Sequence, residues 1–130
     1  MTTGTGRAAV VAYGAPVPHD RDRMIELATR YLDALVSHDA AHVPLAATCA
    51  RTERGQDTGA SGDAIRRNLA SEIMHGITAV HDVRWFVDGD DVIAFYALDA
   101  YGRTVDIAER FTIRDGEIHE IEAIFDLGEG

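Results

Sequence analysis

The chain contains no lysine; all twelve of its basic residues are arginine. That excludes side-chain Schiff bases, pyridoxal phosphate attachment and a Walker-type phosphate loop, each of which needs a lysine amine. Cysteine is nearly as scarce. Cys49 stands alone, so no disulfide forms within the chain, and a reducing setting, the cytoplasm, is expected. No apolar run approaches the ~20 residues of a membrane helix. The stretch from Arg7 to Ala15 is short, only weakly apolar and lacks a clear cleavage site, so no leader is expected. Positive charge is sparse and never clustered. With a net charge of −10 and a pI near 4.8, neither nucleic acid nor an anionic membrane is an expected partner.

What the chain does have is an ordinary globular balance, 46% apolar and 26% charged over 130 residues. One domain with a real core is expected. Residues 1–19, rich in Gly, Thr, Pro and Ala without a period, read as a flexible arm before a single domain over 20–130. Asp20 caps an expected helix to about Ser37, whose stripe is Met24, Leu27, Ala28, Tyr31 and Leu35. A second short helix is expected over about Asp39–Ala46, limited by Pro44. A strand over Thr48–Glu53 and a polar loop over Arg54–Ser61 follow. A third helix then runs to about His75, with Ile65, Leu69 and Ile73 inward.

Four strands complete the reading, at about Thr78–Val87, Asp91–Tyr101, Arg103–Arg114 and Glu117–Asp126. Arg114-Asp-Gly-Glu117 is a hairpin turn, since Asp-Gly readily takes positive φ. Val105, Ile107, Phe111 and Ile113 share one parity before it, and Ile121, Ala123 and Phe125 share one parity after it. Two polar residues sit on those apolar parities, Glu109 and His119. A carboxylate aimed at a core must be paired, neutral or facing a cavity. The strand with Val92, Ala94, Tyr96 and Leu98 on one parity and Ile93, Phe95 and Ala97 on the other is expected to be covered on both faces. Helices first and antiparallel strands afterwards imply an α+β fold, with about three helices on one face of a strongly curved, mostly antiparallel sheet.

Ala28-Thr-Arg-Tyr31-Leu-Asp-Ala-Leu35, Leu45-Ala-Ala-Thr-Cys-Ala-Arg-Thr-Glu53, Gly62-Asp-Ala-Ile-Arg66 and Arg114-Asp-Gly-Glu-Ile-His-Glu-Ile-Glu-Ala-Ile-Phe-Asp126 occur in this order. Through them the chain resembles the nuclear transport factor 2-like superfamily, in its SnoaL-like and ketosteroid isomerase-like branches. The resemblance implies a cone-shaped α+β barrel with a pocket, used in that superfamily by isomerases, cyclases, dehydratases, epoxide hydrolases and proteins without known catalysis. By the same resemblance Tyr31 matches an oxyanion tyrosine and Glu53 a general-base aspartate. The protonated aspartate of the isomerases falls at Ile107, with Glu109 two residues on and facing the same way; the handling of two carboxyls in unlike environments is well known for ketosteroid isomerase. The arginine and aspartate pair of epoxide hydrolases falls on Tyr96 and Leu98, and is missing.

The expected activity is therefore that of a cofactor-independent small-molecule enzyme acting on an apolar substrate with a carbonyl or an epoxide. Glu53 is the expected base, Tyr31 the oxyanion donor and Glu109 the acid or charge partner. Arg51 shares parity with Glu53 and is expected to neutralise a glutamate or, with His119, to orient the substrate. Trp85, Phe95, Ile107, Ile121 and Phe125 are expected to complete the binding pocket. His81 shares the parity of Trp85. The alternative is a non-catalytic ligand-binding or dimerisation module of the same fold. His38-Asp-Ala-Ala-His42 has the spacing of a zinc motif, but Pro44 follows at once and no third ligand is evident, so no metal is expected. Cys49 lacks an evident base and reads as a buried side chain. A homodimer through the outer sheet face is expected.

Overall fold

The structure, a computed structural model, describes residues 20–127. The arm expected over residues 1–19 lies outside the described residues. Helix α1 (Arg21–Ser37) begins where the Asp20 carboxylate accepts from the Arg23 N–H at 2.7 Å, a cap of the kind that contributes ~1 kcal/mol. It buries Met24, Leu27, Ala28, Tyr31, Leu32, Ala34 and Leu35, the expected stripe, and ends at His38 with φ 62°.

No helix follows. The Asp39 carboxylate accepts from the Ala41 N–H at 3.0 Å and the chain turns, then enters strand β1 (Leu45–Glu53). Pro44, with no N–H to continue a helix, instead accepts through its carbonyl from Ile118 at 2.7 Å. The expected second helix is thus strand and turn, and His38 and His42 never share a helical face. The expected loop at Arg54 is also structured. Arg54 and Gly55 both take positive φ (52° and 80°), closing a two-residue hairpin into β2 (Gln56–Gly59).

Ser61 caps α2 (Gly62–Leu69), which is shorter than expected; a 3-10 segment over Glu72–Gly76 replaces its last turns and leaves Ile73 69% exposed rather than inward. Gly62 lets α2 lie against β1, because a Cβ there would meet the Ala46 carbonyl oxygen at 2.6 Å. Among the described residues, two α-helices and this 3-10 segment therefore replace the three helices expected.

Strands β3 (Ile77–Asp88), β4 (Asp91–Ala100), β5 (Arg103–Arg114) and β6 (Glu117–Phe125) fall close to their expected spans. The six-stranded sheet runs β2-β1-β6-β5-β4-β3, mixed, with β1 and β6 parallel and every other pair antiparallel. Helix α1 packs on β3, β4 and β6, and α2 on β1 and β2. Between them lies a core including Leu27, Tyr31, Val92, Phe111, Ile113, Ile118 and Ile121. Each large apolar side chain buried this way contributes ~1.5–3 kcal/mol. No helix among the described residues is long and apolar enough to cross a membrane.

Bulges decide which side chains face inward. On β6 the register steps from Thr112↔Glu120 to Ile113↔Ile118, so His119 is the extra residue. Ile118 takes the inward place expected for His119, whose Nε2 lies 3.2 Å from the Arg114 carbonyl. On β3 the step between His81 and Arg84, with Asp82 at φ 57°, has the same effect. Trp85 packs against the core, while His81 is exposed between Asp82 (2.9 Å) and Asp99 (3.1 Å).

Candidate functional site

A cavity of about 360 Å3 lies between α1, the 3-10 segment and the inner sides of β4, β5 and β6. Most of its wall is apolar, with Leu35, Met74, Leu98, Val105, Ile107 and Phe125 prominent. Its polar groups are five: Tyr31, Glu53, Asn68, Tyr96 and Glu109, besides Tyr101 at the edge. Concave, largely apolar and furnished with a few convergent polar groups, it has the character of a small-molecule site.

Each polar group has an identifiable origin. Tyr31 lies on the buried stripe of α1, edge-on to Phe111 at 5.3 Å between ring centroids. Glu109 sits on the inward parity of β5, opposite Ala94 on β4 and Ala123 on β6; two small neighbours leave it room. Tyr96, one inward place along β4, donates its hydroxyl to Glu109 Oε1 at 2.5 Å. Glu53 ends β1, half-buried, and among the described residues has no hydrogen-bond or ion-pair partner.

The two carboxyls therefore differ. Glu109 is 2% exposed. Loss of water pushes its carboxyl up from 4.5 to about 7; the nearby Glu53 charge adds to this, while the Tyr96 hydroxyl and Arg51 hold it back. It thus exchanges its proton near neutrality. The phenols of Tyr31 and Tyr96 are raised, mainly by burial and next by Glu109, and both stay protonated as donors.

Tyr31, Glu53 and Glu109, expected together, all line the cavity, as do Ile107 and Phe125. Five expected pocket residues stand elsewhere. Ile121 is core, 2% exposed. Trp85 faces a different groove, between α1 and β3. Phe95 points to the opposite side of the sheet, because β4 turns its even-numbered residues inward. His119 is displaced by its bulge. Arg51 lies behind the floor, not in it, and forms no ion pair with either glutamate among the described residues; it donates to Tyr31 instead. Tyr96 and Asn68 were not anticipated. Tyr96 was legible in principle, since its parity is that of Val92, Ala94 and Leu98.

The edge of the cavity is held by Tyr101. Its ring covers Gly76, where a Cβ would collide with it, its hydroxyl donates to the Ile73 carbonyl, and its N–H donates to the Gly76 carbonyl at 3.0 Å. Among the described residues no group of three or more His, Cys, Asp or Glu side chains is placed to hold a metal ion. The His38 ring lies tilted against that of His75, with ring centroids 4.5 Å apart and 47° between the planes.

A family model described as "Domain of unknown function (DUF8021)" matches residues 18–125. No curated protein sequence matches the chain. Among solved structures, a nuclear transport factor 2-like protein of unknown function from Mesorhizobium loti is 23% identical, with a TM-score of 0.67 over 85% of this chain and 97% of that one. A candidate ketosteroid isomerase from Kribbella flavida is 14% identical, with a TM-score of 0.69 over 84% and 82%. An LEH-like epoxide hydrolase from M. tuberculosis is 20% identical, with a TM-score of 0.64 over 82% and 84%. At these identities the likeness is one of fold.

Proposed function

The chain belongs to the DUF8021 family and has the fold of nuclear transport factor 2-like proteins, and from that premise we propose that it is a small-molecule enzyme moving a proton beside a carbonyl group. The observation that carries this reading is the pair of unlike carboxyls on one apolar cavity. Glu53 is half-buried and, among the described residues, its carboxylate has no partner; Glu109 is enclosed and pushed up to about 7. Groups separated in this way divide the work of base and acid. Glu53 takes a proton from the carbon next to the carbonyl. The electron pair of that C–H bond moves toward the carbonyl oxygen, which Tyr31 and protonated Glu109 stabilise by donating to it. In a β,γ-unsaturated ketone the product is a dienolate; Glu53 returns the proton to its γ-carbon, the carbonyl re-forms and the double bond has moved into conjugation. The relatives of this fold described as a candidate isomerase and an epoxide hydrolase support acid–base chemistry of this class. At about 360 Å3 the cavity suits a compact, mostly apolar molecule, near the lower end of the ~300–1,000 Å3 range of small-molecule sites.

A panel of cyclic β,γ-unsaturated ketones and 1,3-diketones, followed by NMR in heavy water, tests the proposal. Solvent deuterium should enter next to the carbonyl, and Glu53→Gln should slow that entry by ~10²–10⁴. Undiminished exchange in Glu53→Gln removes the base assignment. Ile107 in the cavity wall, at the position matched by the isomerase aspartate, supports the second reading, a non-catalytic ligand-binding module. That reading predicts ketones bound and recovered without deuterium.

A second copy of the chain is the proposed macromolecular partner. On the outer side of the sheet Phe86, Phe95 and Ile124 are 49%, 36% and 60% exposed. Arg84, lying over the Phe95 ring, and Asp106 flank the same groove and offer opposite charges that a two-fold arrangement can pair.

A further inference from the structure

We propose that Arg51 is a positioning residue, fixing the Tyr31 hydroxyl as a donor toward bound substrate. The inference rests on the reading of the cavity as a place where negative charge develops on a substrate oxygen, and it names that substrate as an enolisable carbonyl compound.

Arg51 is 1% exposed and does not line the cavity. Its guanidinium is held on every side by neutral acceptors. Nε donates to Thr58 Oγ1 at 2.9 Å, and Nη2 donates to the Thr58 carbonyl at 2.8 Å and to Asn68 Oδ1 at 2.7 Å. Nη1 donates to the Tyr31 hydroxyl at 3.2 Å. The β1–β2 hairpin and α2 thus grip a fork whose remaining prong ends on the phenol. Arginine has donors only, so the Tyr31 oxygen must accept there. Its one proton therefore points away from Arg51, and no acceptor for it is found among the described residues, so it is left to the cavity that Tyr31 lines. A tyrosine fixed in this way donates without first breaking a competing bond, which is the preorganisation that stabilises a developing oxyanion.

The charge balance agrees. A buried cation without an ion pair is costly unless neighbouring charge offsets it. The acidic groups that act on Arg51 across this space are Tyr31 on α1, Glu53 on β1 and Glu109 on β5, with Tyr96 on β4 acting on Glu109. One ionised glutamate balances the arginine. A second would leave excess negative charge where water is excluded. Arg51 draws Glu109 toward ionisation, while burial and the Glu53 charge keep it protonated in the empty site. On binding Arg51 favours the single negative charge passed to a substrate oxygen through Tyr31.

The test uses a nitrophenol acidic enough to be ionised at pH 6, an oxyanion probe that undergoes no turnover. Arg51→Met should weaken its binding at least about tenfold when Tyr31 is present, and less than about twofold in a Tyr31→Phe background. Equal losses in both backgrounds overturn the proposal, because a merely structural arginine would act regardless of the phenol. So does an unchanged affinity in Arg51→Met. Should Arg51→Met not fold, Arg51→Lys serves: it keeps the charge without the fork and should lose the probe in the same Tyr31-dependent way. Because the readout is binding, absent proton exchange on ketones would sink the proposed activity and leave this result standing.

Discussion

The buried carboxyl of Glu109 should make this protein less stable as the pH rises through neutrality. Its ordinary value is 4.5 and burial moves it up to about 7, so between those values the folded protein holds a proton that the unfolded chain has released. The folded state binds more protons there, and stability falls as pH rises across that window. The stabilisation is complete below about 4.5 and gone above about 7. At ~1.4 kcal/mol per pH unit, the interval amounts to ~3 kcal/mol, a large share of the ~5–15 kcal/mol of a typical domain. Glu109→Gln removes the titration and keeps an oxygen to accept from Tyr96. Other groups titrate in both proteins and largely cancel in the difference. Urea unfolding at half-unit steps from pH 4.5 to 8 should therefore show the variant gaining on the parent by ~1.4 kcal/mol per pH unit, up to ~3 kcal/mol, at equal m. A difference that stays flat with pH refutes the reasoning. A difference of opposite sign means that Glu109 is held ionised, and it then cannot act as the acid.

Three further outcomes are expected. Gly76→Ala puts a methyl group where the exposed Tyr101 ring lies, so the ring should swing away and lose its hydrogen bond to the Ile73 carbonyl, at a cost of about 1 kcal/mol read as a slightly lower Tm and altered tyrosine fluorescence; unchanged fluorescence means that the ring is not seated there. Cys49 is fully enclosed, and burial pushes its thiol up to about 11, so a disulfide reagent should label it only as fast as the protein opens; prompt labelling of the native protein contradicts this. Sedimentation should show a dimer that becomes a monomer when Phe95→Asp and Ile124→Glu are combined; a wild-type monomer at tens of micromolar ends the proposal for the outer sheet face.

The α1 stripe, the hairpin turn at Asp115-Gly116, the span of β5 and the α+β class were legible because each rests on local periodicity or local turn chemistry. Tyr31, Glu53 and Glu109 were legible as a set because a polar side chain on an apolar face, or at a position matched by resemblance, signals a cavity. Tyr96 was within reach as well. The two-residue turn at Tyr101-Gly102 pairs Ala100 with Arg103, which carries Ala94 opposite Glu109 and sets Tyr96 on the diagonal.

The rest depended on contacts between distant segments. Period-two counting assigned His119 and His81 to the inward side, but one extra residue in each strand reverses the face of what precedes it, and a bulge is fixed by the partner strand. The chain around Pro44 became strand because β6 offers its carbonyl a donor, Ile118, more than seventy residues away. Arg51 was read as the partner of a carboxylate because charge alone suggests that. Thr58 and Asn68, brought to it by the hairpin and by α2, turn its fork toward Tyr31. By itself the sequence determined α1, the four strands after α2, most of their buried faces and three of the polar groups on the cavity. Tertiary structure decided which of the remaining polar side chains reach that cavity, because bulges and the directions of hydrogen bonds are properties of paired segments and not of any one of them.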